Sequence, residues 1–429
     1  MTFQTAMQRL EAMGRFGSPG AVQRVARILQ EFNNPQNQLQ FIHVAGTNGK
    51  GSVCTMLSNV LRQAGYKTGL FISPYITEFC ERIQINGEQI PKQTFADLTE
   101  QVLPYVERLR QAGEHMSEFE LITVVAMLWF CRQNCRAVIL EAGIGGKRDC
   151  TNVIENTLVS VLTSISMDHM QLLGDSIEQI TMEKCGIMKE NGVTVCAPNQ
   201  KSQALTVIER EANLHKNTLI QASLQSVAVQ NSDLSGTDFL YHGDTLHLPL
   251  IGAHQILNVC TALAALEQLQ QQGFCITLTH IKTGLAAVRF PARWELLQEE
   301  PQLFIDGAHN RDGIDALKAA VTQYFKDRRV VAVIGAMQDK DADYMAQALS
   351  GVFEQVITMP LQSSRALHAG VFAAKFSAQG QNVVAAGSVG EALRLATAAA
   401  GENGVILVCG SLFAAAQVRA QLKPHFLEK

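Results

Sequence analysis

Residues 41–53 read FIHVAGTNGKGSV: an apolar strand, a glycine-rich turn with one lysine, then a helical pattern over 53–64. This is the shape of a phosphate-binding loop. Glycines let backbone N–H groups approach phosphate oxygens, a helix N-terminus adds positive potential, and Lys50 reaches the outer phosphates. The stretch departs from the common G-x-x-x-x-G-K-[ST] pattern twice. Val44 stands where the first glycine would be, and Gly51 stands where the metal-binding hydroxyl would follow the lysine. Both departures point away from ordinary ATPases and GTPases, and they leave a Mg²⁺ ligand to be found elsewhere in the chain.

Working outward, strand-like runs at 40–44, 67–72, 137–141, 158–164 and 194–196 alternate with helical patterns at 21–32, 94–112 and 118–133. That alternation predicts a parallel sheet covered on both faces. A more polar, β-tending stretch over about 223–250 reads as a short antiparallel insertion, followed by a helix over 258–271. A second alternation begins near Pro301, with strand candidates at 302–306, 329–334, 355–359, 382–385 and 404–409. The expected fold is α/β: an N-terminal P-loop-type domain with a mostly parallel sheet (residues 1–290), a linker (291–300) and a smaller C-terminal Rossmann-like domain (301–429).

Composition supports a packed globule. The chain has 429 residues, 47% of them hydrophobic and 17% charged, which exceeds a comfortable single core. A formal net charge of −4 without a long basic run argues against nucleic-acid binding. The longest apolar runs fall well short of the roughly 18–20 residues that span a bilayer, and the first residues lack the apolar core of a signal peptide. Ten scattered cysteines form no C-x-x-C pair, and Cys131 and Cys135 read as packing residues rather than zinc ligands. A cytoplasmic protein is expected.

Several residues are placed to carry chemistry. Glu141 ends the run AVILE, and an acid at the C-terminal end of a parallel strand reads equally as a Mg²⁺ ligand or as a loop cap. His169 follows another strand candidate and by itself reads as a structural histidine. Lys184 lies in a helical pattern and by itself reads as a solvated lysine. Asp306 and His309, in IDGAHNRDG, stand at the ligand-binding end of a C-terminal strand; the same segment also reads as a helix N-cap with Asn310 or Asp312 capping.

Taken in order, the motifs resemble the folylpolyglutamate synthase and dihydrofolate synthase family, a branch of the Mur-ligase-like amide ligases. The resemblance rests on AGTNGKGS (45–52), FISPYITEFCERIQING (71–87), FELIT (119–123), EAGIGGKRDCTN (141–152), TSISMDHMQLLGDSIEQITMEKCGI (163–187), HQILN (254–258), PARWE (291–295), DGAHN (306–310), VIGAMQDKD (333–341) and VCGSLF (408–413). It covers nearly the whole chain.

The resemblance implies a set of roles. Asn48, Gly49, Lys50, Gly51 and Ser52 would surround the ATP phosphates. Ser73, Glu141 and His169 would hold Mg²⁺, with Ser52 a second choice; a histidine is an unusual ligand for this hard cation. Lys184 would be carbamylated, creating a carboxylate able to bind a second Mg²⁺. Asn258, Arg293 and Asp306 would contact the nucleotide, with His309 nearby as a catalytic residue. Arg15, Phe16, Gly17, Tyr75, Arg82, Phe119 and Asp149 would bind the pterin-bearing substrate, Phe119 by stacking and Asp149 by accepting ring N–H groups. Lys147, Arg148 and Cys150 depart from the residues usual in the family, as does Tyr75, where histidine is commoner.

The implied reaction is ATP-driven amide synthesis. Dihydropteroate or a reduced folate would be activated as an acyl phosphate and captured by the amine of L-glutamate, with domain closure excluding water. The expected partners are these small molecules, with no nucleic acid, no membrane, and a monomeric chain. A dihydrofolate-synthase-deficient folylpolyglutamate synthase, a Mur ligase of the cell wall and a catalytically inactive nucleotide-binding regulator are the rival readings. Retention of Lys50, Ser73, Glu141, His169 and Lys184 together counts against the last.

Overall fold

The computed structural model describes residues 1–14 and 17–422. Its first eight strands are β1 (Phe41–Ala45), β2 (Thr68–Phe71), β3 (Ile83–Ile85), β4 (Glu88–Gln89), β5 (Ala137–Glu141), β6 (Thr157–Leu162), β7 (Val193–Cys196) and β8 (Thr218–Gln221). They form one sheet in the order β4-β3-β2-β5-β1-β6-β7-β8. From β2 through β8 neighbouring strands run parallel, while β3 and β4 form an antiparallel edge. β1 and β5 are buried at every position, as expected for central strands covered on both faces. Their sequences, FIHVA and AVILE, are correspondingly apolar except at His43 and Glu141.

The polar insertion folds as β9 (Ala228–Asp233), β10 (Gly236–Tyr241) and β11 (Asp244–Leu248), a three-stranded sheet. The last group is β12 (Glu295–Glu299), β13 (Gln302–Ile305), β14 (Val330–Ile334), β15 (Gln355–Thr358), β16 (Val383–Ala385) and β17 (Val405–Cys409). These lie in the order β12-β13-β17-β14-β15-β16, parallel except for the antiparallel edge strand β12. The fold class is therefore the expected α/β arrangement, with a parallel-dominated N-terminal sheet and a mixed C-terminal sheet.

Contacts divide the chain into two units. The first contains Met1–Ala228, Leu240–His247 and Ile256–Val288; the second contains Val229–Phe239, Leu248–Gln255 and the chain from Arg289 onward. Within the first unit, the helix Glu118–Arg132 begins with a reciprocal cap: Ser117 Oγ accepts from the Glu120 N–H, and Glu120 Oε2 accepts from the Ser117 N–H at 2.9 Å. That cap fixes where Phe119 starts the helix. In the second unit, Trp294, Phe304 and Phe325 pack as an aromatic cluster beneath the helix Arg311–Tyr324.

Two local expectations differ from what is observed. The helix after the glycine-rich turn begins at Lys50, not at residue 53, because Gly49 takes the left-handed conformation (φ 88°) that starts it. The stretch 291–300, expected to be a linker, contains β12, whose pairing with β13 compensates for its polar ends.

Candidate active site

The glycine-rich loop sits at the C-terminal end of β1, where neighbouring strands β5 and β6 diverge in connection. Open α/β sheets bind ligands at such a point. The loop is stitched to the chain after β6: the Thr47 and Asn48 N–H groups both donate to Ser164 O, at 2.8 and 3.3 Å. Thr47 Oγ1 donates to Ser166 O and accepts from the Ser166 N–H, each at 3.0 Å. Gly49 must be glycine on two counts. Its φ is positive, and a Cβ there would lie 2.2 Å from Asn258 Oδ1. Asn258 therefore packs directly on the loop. The helix Lys50–Gln63 has no capping side chain, so its first N–H groups present positive potential at Gly49, Lys50, Gly51 and the buried Ser52.

Two lysines converge here. Lys50 Nζ donates to Gly46 O and Thr47 O, each at 3.2 Å. Lys184 Nζ, buried on the helix Ile177–Cys185, donates to the same Gly46 O at 2.7 Å. Burial, and secondarily the charge of Lys50, push the Lys184 pKa down to about 7. A substantial fraction of its amine is then neutral near physiological pH.

Glu141 ends β5 as a buried acid, and its Oε2 accepts from the Ser73 N–H at 3.0 Å. Strands β2 and β5 are neighbours, so Ser73 and Glu141 meet at adjacent strand ends. Their hydroxyl and carboxylate are the hard oxygen donors that Mg²⁺ prefers, and in that respect the site fits the cation. His169 begins the short helix Met170–Leu173 in a left-handed conformation (φ 50°), beside Asp168. Among the described residues, no group of three or more His, Cys, Asp or Glu side chains is gathered closely enough to hold a metal ion.

Phe119, Gly143 and Asp149 form a second locus in the same unit. A Cβ built on Gly143 would lie 2.7 Å from Phe119 Cε1 and 3.1 Å from Asp149 Oδ2, so the missing side chain brings ring and carboxylate together. The Phe119 ring rests on Phe71, with centroids 5.6 Å apart. Asp149 is buried and caps the turn Cys150–Val153, accepting from the Thr151 N–H at 3.0 Å and from the Ile144 N–H at 2.9 Å. Burial raises its pKa, and these donors oppose the rise. Sequence reading missed Gly143; a glycine two residues after a strand-end acid was its available signal.

The loop after β2 is organised by Glu81, also missed. Its carboxylate accepts from the N–H groups of Ile76, Thr77 and Glu78, at 2.8 to 3.0 Å. The Arg82 guanidinium lies 5.2 Å from the centre of the Tyr75 ring and 3.7 Å from Glu118. Tyr75 thus takes up a cation–π contact where the family's commoner histidine would stand. Arg15 and Phe16 fall outside the described residues. Gly17 is held in a gap that admits no side chain, since a Cβ would come within 2.9 Å of Glu120 Oε2, His115 O and Arg24 Nη2. The fully buried Arg24–Glu120 pair, 2.9 Å apart, anchors this turn through Ser18 Oγ and Pro19 O.

Two of the other departures have partners too. Arg148 pairs with Glu183 at 3.0 Å and donates to Leu172 O, and the buried Cys150 thiol lies 3.3 Å from Thr123 Oγ1.

In the second unit, Asp306 is buried at the end of β13. Its Oδ1 accepts from the Ala308 N–H at 2.9 Å and its Oδ2 from the Trp294 N–H at 3.2 Å. Burial raises its pKa while nearby Arg293 opposes the rise. Arg293 is flanked by two residues in the left-handed region, Ala292 (φ 56°) and Trp294 (φ 50°), a strained conformation of the kind found at functional sites. His309 Nδ1 lies 2.7 Å from Gly307 O, which assigns the proton to that nitrogen. Asn310, not Asp312, caps the following helix through Gly313 N–H at 3.0 Å.

A phosphate-type loop with converging lysines thus stands on a two-unit α/β chain. Residues 44–266 match the model of the Mur ligase middle domain, and residues 292–412 match that of the Mur ligase, glutamate ligase domain. The dihydrofolate synthase/folylpolyglutamate synthase of Bacillus subtilis is 31% identical over 98% of this chain and 99% of its own length. Folylpolyglutamate synthase of Mycobacterium tuberculosis, solved with ADP and AMPPCP, superposes with a TM-score of 0.89 at 29% identity, covering 98% of this chain and 99% of that one. Escherichia coli FolC, solved with DHPP and ADP, gives 0.86 at 28% identity, covering 99% and 98%. The chain belongs to the folylpolyglutamate synthase/dihydrofolate synthase family, whose members are ATP-dependent ligases. Among the described residues no helix is long and apolar enough to cross a membrane.

Proposed function

We propose that this chain, as a cytoplasmic monomer, attaches L-glutamate to dihydropteroate and to the glutamyl tail of reduced folates. The observation that carries the reading is the convergence of Lys50 and Lys184 on Gly46 O at an uncapped helix N-terminus. Such a cluster of positive potential suits a triphosphate meeting a second anion.

In the proposed reaction a carboxylate oxygen of the acceptor attacks the γ-phosphorus, the bond to the β-bridging oxygen breaks, and ADP leaves. The glutamate amine then attacks the acyl carbon, loses a proton, and the acyl–oxygen bond breaks to release phosphate. Lys50 offsets the repulsion between acceptor carboxylate and γ-phosphate, and the N–H groups at 49–52 hold the phosphates in line. Asn258, and on the second unit Arg293 and Asp306, are proposed nucleotide contacts, with His309 beside Asp306 in sequence as a polar group for the glutamate-transfer step.

Ser73 and Glu141, with His169, would hold Mg²⁺, which when bound screens phosphate charge. The partly neutral Lys184 amine is chemically fit to add CO₂ and become a carbamate, a carboxylate for a second Mg²⁺. Gly17, Tyr75, Arg82, Phe119 and Asp149, together with Arg15 and Phe16, are proposed acceptor contacts. Phe119 offers a face to a fused ring, and Asp149 accepts from its N–H groups.

The test is incorporation of labelled glutamate by purified protein with ATP and Mg²⁺, offering dihydropteroate or a reduced monoglutamyl folate separately. Product with both acceptors is expected. Product with the folate alone would restrict the chain to tail extension, and product with neither would overturn the ligase reading.

A further inference from the structure

β1 is the central strand that feeds the phosphate loop, and four of its five residues are apolar. The exception, His43, is fully buried, in register with Leu140 of β5 and Ser160 of β6. An imidazole in that position is costly unless its polar atoms find partners inside the core, and one of them does. Its Nε2 lies 2.9 Å from Oγ1 of the equally buried Thr151. Thr151 Oγ1 in turn donates to Asp149 Oδ1 at 2.6 Å, and the Thr151 N–H donates to the same oxygen.

The direction of this chain follows by elimination. A threonine hydroxyl has one proton, and here the Asp149 carboxylate takes it. His43 must therefore donate Nε2–H to Thr151. Its Nδ1 is then a bare acceptor, and among the described residues that atom has no hydrogen-bond partner. Burial, with the charge of Lys189 adding to it, pushes the imidazole pKa down to about 3, so near neutral pH the ring is uncharged and Nε2–H is its one N–H donor. The chain leads from the strand core to one place only, the carboxylate that meets Phe119 across Gly143.

We propose that His43 is a positioning residue for acceptor binding: through Thr151 it fixes the Asp149 carboxylate beside the Phe119 ring. This rests on the reading of Asp149 as an acceptor contact. The acceptor class is a fused heteroaromatic ring with N–H donors on one edge. His43 itself touches no reacting atom. A strand that needed packing alone would be served by another apolar residue at position 43.

The experiment is steady-state kinetics on His43→Leu, His43→Gln, Thr151→Val, Asp149→Asn and the double variant His43→Leu/Asp149→Asn, with thermal unfolding of each. The acceptor is dihydropteroate or a reduced monoglutamyl folate, whichever the wild-type protein uses. His43→Leu and Thr151→Val are expected to raise the acceptor KM about five- to tenfold, the effect of one buried hydrogen bond, while the KM for ATP is unchanged. His43→Gln, which can place an N–H donor near Nε2, should restore most of the acceptor affinity. In the double variant, His43→Leu should add nothing to the effect of Asp149→Asn.

Overturning results are equally specific. If Asp149→Asn raises the acceptor KM but His43→Leu and Thr151→Val do not, the inference fails and the reading of Asp149 stands. If Asp149→Asn leaves the acceptor KM unchanged, that reading fails and takes the inference with it. Parallel loss of acceptor and ATP affinity, tracking the loss of melting temperature and unrelieved by His43→Gln, would make His43 a packing residue only. Should His43→Leu not fold, Thr151→Val and His43→Gln decide the matter by the same criteria.

Discussion

Lys50 and Lys184 share one acceptor, the carbonyl oxygen of Gly46, at 3.2 and 2.7 Å. Burial, and after it the repulsion of a second ammonium on the same carbonyl, makes Lys184 lose its proton more readily.

That depression has a stability consequence with a definite sign. The Lys184 pKa is about 7 in the folded protein against an ordinary value of 10.5. Between these values the unfolded chain binds a proton that the folded chain does not, so stability rises with pH across this window. Lys184→Met removes the group, while Gly46 O retains Lys50 as a donor. The melting temperature of ligand-free Lys184→Met should exceed that of wild type most at and below pH 7, and the difference should shrink towards pH 10.5. Calorimetry over that range checks this; an unchanged pH slope would refute the Lys184 assignment.

Lys50 is less enclosed, and its proposed role is one of charge. Lys50→Ala should lower kcat/KM by about 10²–10³-fold, the scale for one preorganised donor at developing negative charge. Unfolding free energy should move by less than about 1 kcal/mol, since the side chain bonds only to loop carbonyls. Near-normal turnover would remove Lys50 from the proposed chemistry.

Glu141 tests the proposed cation site. Glu141→Gln keeps an oxygen acceptor for the Ser73 N–H but removes the charge. The Mg²⁺ concentration for half-maximal activity should rise by at least about tenfold, given that even outer contacts to a metal ligand change affinity by 10–100-fold. An unaltered Mg²⁺ dependence would place the ion elsewhere.

Gly143 tests the acceptor locus. Gly143→Ala forces a methyl group against Phe119 and Asp149, at a cost of about 1–3 kcal/mol if the neighbours yield. The acceptor KM should rise with the KM for ATP unchanged. Equal changes in both would mean the strain spreads to the phosphate loop.

Much of this was readable because central parallel strands are continuous apolar runs. β5 occupies the expected residues 137–141, and the other core strands shift by one or two positions at an end. The helix starting at Lys50 hid behind its glycines, which read as loop until Gly49 is seen as its left-handed first step. β12 was hidden because ELLQE is polar at both ends and earns its strand only from β13, a partner that sequence patterning does not name. The candidate site residues in GTNGKGS and at the strand ends stand out as local motifs. Arg24 with Glu120, and Phe119 with Gly143, were not: each pair is joined by folding across 96 or 24 positions, and each member alone reads as an ordinary helix charge, ring or turn.

The seam between Thr47–Asn48 and Ser164–Ser166 fixes the glycine-rich loop through the protein's own hydrogen bonds. Conformational freedom that a floppy loop would surrender on binding has already been lost on folding. The proposed nucleotide recognition at this loop would then be a matter of filling a prepared mould. Mutations that open the seam should weaken binding entropically, without removing a single atom that faces a phosphate.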